Sequence, residues 1–341
     1  MKKIITLTFF ATMVLVACKK DTKSNTTTPI LTPATPAPQL KFVFKFDSTQ
    51  VRLGSTGQLD TLPTSHRAQN PRFNGMSAHY IELTPNATTQ VGAGNIIYVT
   101  PATPTTAITV HNASGTSSAT YTNAIEFNQE TVVGQGGQFY AIPLSQVTAG
   151  TYQYLRVSVA YQNYDINYGI KAGTTVSGYT FPSNYYTTGT IASFIGYYTQ
   201  IGSYTIKTQS IAVNGCKQQG YWAFESAPFV IGGTTYSTTA TQGQAPQGAT
   251  TVVNPLFATS AIQPGSCLVT GQFVSPTGTT EPLTITGHET NDIVITVSMS
   301  TNNSFEWKYS STSPNDGRIY PLCGDTVVNM GVRGMIPMLP H

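Results

Sequence analysis

Short runs of alternating apolar and polar residues, separated by turn residues, recur along most of this chain. In the first run, LKFVFKFD at residues 40–47, positions 40, 42, 44 and 46 are apolar and positions 41 and 45 are lysines. Since successive side chains of a β-strand point to opposite faces, this alternation is typical of a strand with one buried face. A series of such strands with glycine-containing breaks favours a β-sandwich or barrel.

The other predicted strands share this style. They lie at residues 77–83, 96–100, 107–111, 138–144, 151–161, 190–198, 203–213, 220–225, 229–231, 267–274, 283–286, 292–299 and 304–309. The 19 Tyr, 30 Gly and 21 Pro favour strands and turns over helices. Charged residues make up only 9% of the chain, so Thr, Ser, Asn, Gln and Tyr must supply most of the polar surface, as is common in extracytoplasmic β-proteins.

The sequence therefore predicts an all-β body at residues 39–341. A body of about 300 residues exceeds one typical sandwich, so we expect either one large antiparallel β-sandwich or two packed β-sandwich subdomains. In the second case the subdivision would fall near residue 215. The apolar tail at residues 330–340 is expected to dock on this body or to contact a partner.

The N-terminus has the pattern of a secretory signal peptide. Lys2 and Lys3 precede an apolar run from Ile4 to Val16, which is too short to span a bilayer comfortably. The following Leu-Val-Ala-Cys18 resembles the lipobox of bacterial lipoproteins. The resemblance implies that residues 1–17 are removed and that Cys18 is acylated, followed by a flexible Thr- and Pro-rich tether that ends at residue 38.

Charge and hydropathy limit the kinds of partner and the kind of membrane anchor that we expect. Loss of Lys2 and Lys3 lowers the formal net charge from +3 to +1, and no basic run outside the signal peptide is longer than Lys19-Lys20, so we expect no nucleic-acid partner. No second apolar stretch is long enough to span a membrane, which leaves the lipid as the predicted anchor. The residue after Cys18 is Lys19 and not Asp. This resembles the pattern by which enterobacterial lipoproteins are sorted to the outer membrane. Both the periplasmic and the cell-surface face agree with the sequence.

Two segments of the body extend the resemblance. With the lipobox, residues 40–47 and 147–160 resemble uncharacterised lipoproteins of the Bacteroidetes type. Residues 147–158, VTAGTYQYLRVS, are also similar to part of the copper-binding MbnP-like domain, which is a periplasmic β-fold. The resemblance implies a β-fold in the cell envelope, with metal (copper) binding as an alternative function. No metal ligand of that family maps onto these residues.

Three cysteines follow Cys18, namely Cys216, Cys267 and Cys323. An odd number outside the cytoplasm implies one disulfide and one free thiol, or three free thiols. We predict the pair Cys267–Cys323, with Cys216–Cys267 as the alternative. None of them has a CxxC partner, so neither a thioredoxin-like site nor a cysteine zinc site is indicated.

The five histidines show no HxH, HExxH or HxxxH spacing. A metal site would therefore have to assemble from distant positions, for which His79, His111 and Glu126 are the candidates. The competing interpretation is that these are surface or hydrogen-bonded strand residues, because a metal site needs three or four converging ligands. On balance the sequence predicts no cofactor.

Aromatic residues among amides and carboxylates are the main binding candidates. They are Tyr161, Tyr164, Tyr168, Tyr185, Tyr186, Trp222 and Trp307. Exposed rings beside polar groups could stack on a glycan or anchor a protein partner, whereas buried rings would simply fill the β-core. Because the chain has no GxSxG, SxxK, Walker or dinucleotide-binding motif, we expect no enzyme.

Together these observations predict a lipid-anchored lipoprotein of the cell envelope with a non-catalytic binding or scaffolding role in an outer-membrane complex. Two alternatives remain open. The first is a glycan-binding accessory lipoprotein that uses exposed aromatics, and the second is a periplasmic metal-binding protein.

Overall fold

A computed structural model describes residues 36–54, 58–111, 118–176, 178–231, 233–245 and 267–340, with the side chains of residues 106–111 and 118–122 excepted. The predicted signal peptide, Cys18 and most of the tether lie outside the described residues. From Ala37 onward the chain forms one compact unit. None of the described residues belongs to a helix that is long and apolar enough to cross a bilayer.

The body consists of short strands joined by turns. The strands are β1 (Gln39–Asp47), β2 (His66–Gln69), β3 (Arg72–Thr84), β4 (Asn95–Val99), β5 (Ala102–His111), β6 (Ser118–Glu126), β7 (Gln138–Pro143), β8 (Gly150–Tyr152), β9 (Tyr154–Ile170), β10 (Thr175–Val176), β11 (Tyr179–Thr180), β12 (Tyr185–Phe194), β13 (Tyr198–Thr205), β14 (Ser210–Gln218), β15 (Tyr221–Ser226), β16 (Phe229–Ile231), β17 (Thr234–Tyr236), β18 (Ala240–Gln244), β19 (Cys267–Gln272), β20 (Leu283–Ile285), β21 (Ile293–Ser300), β22 (Phe305–Lys308), β23 (Thr326–Met330) and β24 (Met335–Met338). The predicted all-β class is confirmed.

The largest sheet, here called the central sheet, has the antiparallel order β18-β15-β12-β9-β3-β4. Its longest strand is β9, with 17 residues, of which the first half pairs with β19 and the second half with β12. Most residues of β9 are buried on both faces, including the polar Gln162 and Asn163. Because its second half is polar in sequence but buried in the fold, the alternation rule did not predict that the strand continues to Ile170.

One face of the central sheet packs against a second sheet, called the β1 sheet, with the order β24-β21-β1-β7. Leu40, Phe42 and Phe44 of β1 are fully buried in this main core, as the alternation predicts. Phe44 stacks on Phe139 of β7 with a centroid distance of 3.8 Å. The tail strand β24 completes the sheet beside β21, which confirms that the apolar tail docks on the body.

The opposite face of the central sheet packs against a third sheet, called the β13 sheet, with the order β14-β13-β6-β5. Their common core surrounds Phe194 with Tyr161, Tyr204 and Tyr221. The central sheet is therefore the middle layer of three, which explains its burial on both sides. The subdivision considered near residue 215 would fall inside β14, where Gly215 pairs with Ile201 of β13.

Two predicted strands are divided in the structure. The run at residues 151–161 separates into β8 and β9 at Gln153, and the run at 190–198 separates into β12 and β13. At the second division the amides of Ile195 and Gly196 both donate to the carbonyl of Ala160, so the chain turns from the central sheet towards the β13 sheet. The sequence does not reveal where the chain passes from one sheet to the next, because both sheets are buried and the apolar run is continuous.

Candidate functional site

An apolar cleft lies between the central sheet and the chain segment 319–330, at the end of the main core. Its volume is about 610 Å³. Small-molecule sites commonly have volumes of about 300–1,000 Å³, so the cleft is large enough for a ligand. The aliphatic and aromatic side chains of its lining are Ile166, Tyr168, Ile170, Val176, Ile191, Trp222, Phe224, Phe229, Phe305, Ile319, Pro321, Leu322, Val327, Met330 and Ala245.

Strand alternation in β15 forms one wall of the cleft. Trp222 and Phe224 line the cleft, whereas Tyr221 and Ala223 point to the opposite face and pack in the core shared with the β13 sheet. Tyr168 of β9 meets Phe224 edge-on, with a centroid distance of 5.4 Å. The wall is thus built from side chains of β9 and β15, which both pair with β12 between them.

The facing wall is the segment 319–330, which the protein fixes by hydrogen bonds. The amide of Gly169 in β9 donates to the carbonyl of Ile319 over 2.9 Å. A side chain at Gly169 would lie 2.5 Å from the ring of Tyr320, so only glycine lets this segment approach β9 so closely. The wall is therefore preformed rather than assembled around a ligand.

Asp325 is the only charged side chain among the residues described as lining the cleft. Its carboxylate accepts hydrogen bonds from the amides of Ser310 and Tyr320, both over 2.8 Å, and from the hydroxyl of Ser313 over 2.6 Å. These donors come from the protein itself, so Asp325 braces the turn that precedes β23. It is committed to structure rather than offered to a ligand.

Apart from Thr326 on the facing segment, the Ser, Thr and Gln side chains of the cleft lie at the sheet edge formed by β18 and the end of β15. Ser226, Thr239, Thr241 and Gln244 lie there, and the last three are exposed. The Ser226 hydroxyl is 3.1 Å from that of Thr239, and Gln244 donates from Nε2 to the carbonyl of Gln219 over 2.7 Å. The cleft therefore combines an apolar interior with one hydrogen-bonding rim.

No protein-family model, curated protein or solved structure matches this chain. The interpretation of the cleft therefore depends on its own geometry and chemistry.

The predicted binding aromatics do not form one exposed surface. Tyr161, Tyr164 and Trp307 are buried in the cores, where they fill the β-core and do not join an exposed platform. Their strands are covered on both faces, which the local sequence could not reveal. Tyr168 and Trp222 do line the cleft.

The two remaining aromatics lie elsewhere. Tyr185 packs half-buried between Phe181 and Phe229, with centroid distances of 5.5 and 6.0 Å. Tyr186 is 49% exposed, but the guanidinium of Arg318 lies over its ring at 4.1 Å from the centroid. Of the seven predicted aromatics, the cleft thus brings together two.

The metal candidates are not brought together in the part of the chain that the structure describes. His79 is buried in β3, where its Nε2 lies 2.7 Å from the Ser158 hydroxyl, and this burial lowers its pKa to about 3. Glu126 accepts a hydrogen bond from the hydroxyl of Thr103. The side chain of His111 lies outside the described residues. Among those residues no three His, Cys, Asp or Glu side chains converge as a metal site would require.

The predicted disulfide is absent among the three cysteines that the structure describes. Cys267 is buried in the main core on β19, whereas Cys323 lies in a short 3-10 turn before β23. Because sheet pairing fixes Cys267 opposite Val159, its position depends on β9 and not on the C-terminal turn. The alternative partner, Cys216, donates from Sγ to Oε1 of Gln200 over 2.8 Å.

Sequence reasoning missed a buried ionic cluster around Glu306 of β22. The carboxylate accepts from Nη2 of Arg52 over 3.0 Å, from Nη2 of Arg333 over 2.6 Å and from Nδ1 of His66 over 2.5 Å. Asp60 adds a second carboxylate, 3.0 Å from Arg52. These donors hold the pKa of Glu306 below its ordinary value despite burial. Since the partners are far apart in sequence, no local pattern indicates the cluster.

A second buried carboxyl group is that of Glu130, which follows a short 3-10 turn after β6. Both of its carboxyl oxygens are buried, and no donor reaches them with ordinary hydrogen-bond geometry. Burial raises the pKa of Glu130 to about 7, although the nearby hydroxyls of Thr100 and Ser77 act in the opposite direction. At lower pH this side chain is therefore a neutral acid inside the protein.

Proposed function

We propose that this protein is a lipid-anchored lipoprotein of the bacterial cell envelope, in the outer membrane, with a non-catalytic binding role. The binding site that we propose is the apolar cleft. The observation that carries this proposal is a preformed cleft of about 610 Å³ whose lining is almost entirely aliphatic and aromatic. Concave, mostly apolar sites with a few placed polar groups are the usual form of small-molecule sites.

The local construction of the cleft supports this role. Two rings of β15 and β9 are held by sheet pairing, and the facing segment is bonded to β9 through Gly169. Such preorganisation favours binding because little side-chain or loop freedom remains to be lost when a ligand enters. The tether and acylated Cys18 that the sequence predicts would hold the body near the membrane, where apolar molecules are concentrated.

The cleft favours an apolar ligand over the glycan alternative. A sugar requires many directed hydrogen bonds in addition to ring stacking, and the interior of the cleft offers few polar groups. Three of the aromatics expected to form a sugar platform are buried. The metal-binding alternative has no comparable support, because His79 is engaged with Ser158 within the core.

The cleft is tested by binding of a neutral apolar dye. We expect Nile red to bind the non-acylated Cys18→Ser protein, purified without detergent, in a saturable one-to-one complex. Ile191→Phe adds volume to a residue that lines the cleft and should weaken binding at least tenfold. Ile211→Phe makes the same change on β14, in the core on the other side of the central sheet, and should leave binding unchanged. Equal binding by both variants would contradict the proposal.

The anchor is tested separately. Wild-type protein should fractionate with membranes, and Cys18→Ser should be released from them, because acylation at Cys18 is the predicted attachment. Cys216→Ser changes a cysteine of the body and serves as the control. Retention in the membrane fraction of a mature Cys18→Ser protein, without residues 1–17, would count against lipid anchoring.

A further inference from the structure

We infer that the cleft takes an uncharged amphiphile, a molecule with an apolar chain or ring system and a neutral hydrogen-bonding end. This inference rests on the proposed function, since it names the ligand class of the same cleft. It follows from the distribution of polarity and charge over the lining.

The apolar body of the ligand is indicated by the interior. The walls contributed by β9, β12 and β15 present Ile166, Ile191 and Phe224, and the facing segment presents Ile319 and Met330. A polar group placed among these side chains would lose its hydrogen bonds to water without replacement. Only an apolar part of a ligand can occupy this region at no such cost.

The hydrogen-bonding end is indicated by the rim. Thr239, Thr241 and Gln244 are exposed along one side of the cleft. The threonines offer hydroxyl groups and Gln244 offers its amide oxygen, because its Nε2 already donates to the carbonyls of Gln219 and Ala245. A hydroxyl or amide of a ligand can both donate to and accept from such groups, and an ester can accept from them. The rim thus orients an amphiphile, with its polar end towards β18 and its apolar part inward.

The charges along the lining of the cleft indicate that the ligand is uncharged. Among the residues described as lining the cleft there is no Lys, Arg or His, so a carboxylate or phosphate would find no counter-charge. The one charged lining residue, Asp325, is negative and would repel an anion. Its oxygens are already occupied by donors from Ser310, Ser313 and Tyr320, so it is a poor partner for a cationic ligand. A desolvated charge without a partner weakens binding strongly.

Three amphiphiles that share a decyl chain test the inference: 1-decanol, sodium decanoate and decyltrimethylammonium chloride. Each is titrated below its micelle concentration into the non-acylated Cys18→Ser protein at neutral pH, with affinity measured by calorimetry. Emission of Trp222 reports the location, because Trp222 lines the cleft and the other tryptophan, Trp307, is only 1% exposed in the core. Trp222→Phe should abolish the emission change.

We expect decanol to bind at least tenfold more tightly than either charged compound. Equal or tighter binding of decanoate or of the ammonium compound would overturn the neutral ligand class, while the cleft would remain the binding site. If none of the three binds and Nile red does not bind either, the proposed function itself fails.

A designed charge provides the matched control. Val327 lines the cleft and is 37% exposed, so Val327→Lys places a cation at its edge. This variant should bind decanoate at least tenfold more tightly than the parent protein does, without a gain for decanol. Val294 on β21 is also 37% exposed and lies outside the cleft, and Val294→Lys should change neither affinity. Unchanged decanoate binding by Val327→Lys would contradict the charge argument.

Discussion

At the scale of single residues, several charged side chains of this protein form buried ion pairs between distant segments of the chain. Glu306 is 2% exposed and joins Arg52, Arg333 and His66, which come from three separate parts of the chain. Glu82 is likewise fully buried, with Arg156 at 3.4 Å, and it accepts from the amides of Gly92 and Gly94. Glu306 and Glu82 are thus both paired with buried arginines, whereas the buried carboxyl group of Glu130 has no such partner.

Removal of the Glu306 charge should therefore destabilise the fold. Glu306→Gln keeps the side-chain volume but leaves the two buried guanidinium groups with only the more exposed Asp60 as counter-charge. We expect a loss of about 3 kcal/mol in the free energy of unfolding, measured by urea denaturation. The exposed Glu281→Gln is the control and should lose less than about 0.5 kcal/mol. Equal losses would show that the cluster contributes nothing specific.

Glu130 should make stability fall as pH rises. Its pKa is raised from 4.5 to about 7, so between these values the folded protein binds a proton that the unfolded chain has released. Stability is therefore highest below pH 4.5 as far as this group is concerned, and it declines up to about pH 7, by about 3 kcal/mol in total.

Glu130→Gln, which cannot ionise, should lack this decline. The measurement is the free energy of unfolding of both proteins at several pH values from 4 to 8. The variant should be the more stable protein at pH 8 and nearly equal to wild type at pH 4. Parallel profiles would refute the assignment.

At the scale of elements, alternation along each strand is what distributes side chains among the cores. The buried face of β1 follows directly from its sequence, because its lysines alternate with its phenylalanines. In β15 the same rule sends Trp222 to the cleft and Tyr221 to the core on the other side of the central sheet. Aromatics that are adjacent in sequence therefore do not form one platform.

The turn before β24 depends on a glycine. Gly334 has φ +86°, and a Cβ there would overlap Leu53, whose amide is bonded to the carbonyl of Arg333. Gly334→Ala should cost about 3 kcal/mol, since backbone strain and overlap add. Gly278 has the same φ but open space around it, so Gly278→Ala should cost only about 1 kcal/mol. Thermal or urea unfolding compares the two, and a difference close to zero would contradict the steric argument.

At the scale of the whole molecule, pairing between distant segments makes the body one unit. β1 lies between β7 and β21, and its register with β21 joins Leu40 to Ile293. β9 is flanked by β3, β12 and β19, so the central sheet also needs both ends of the chain. Neither the N-terminal half nor the C-terminal half of the body can bury its apolar strand faces alone.

A fragment that ends after β14, residues 37–218, should therefore not fold independently. It lacks β21, which pairs with β1, β24, which pairs with β21, and β19, which pairs with β9. We expect the fragment to show no near-ultraviolet circular dichroism and no cooperative urea transition, whereas residues 37–341 unfold in one transition. A sharp transition in the fragment would indicate an autonomous subdomain.

The sequence by itself determined the features that are local. The period of two in β1, the frequent turns and the shortage of helical patterns predicted an all-β body, because backbone alternation is written into neighbouring residues. The same reading predicted Tyr168 and Trp222 as binding candidates, and both line the cleft. The predicted lipid anchor at Cys18 is equally local, although it lies outside the described residues.

Only the tertiary structure decided which strands are covered twice, which carboxyl groups are buried and where the cleft lies. Tyr164 and Trp307 have sequence surroundings much like those of Trp222, yet they are buried because another sheet or strand packs over them. Glu306 meets Arg52 across more than two hundred residues of chain. Such contacts depend on how distant strands are brought together, and the sequence around a residue does not indicate which distant residue it will contact.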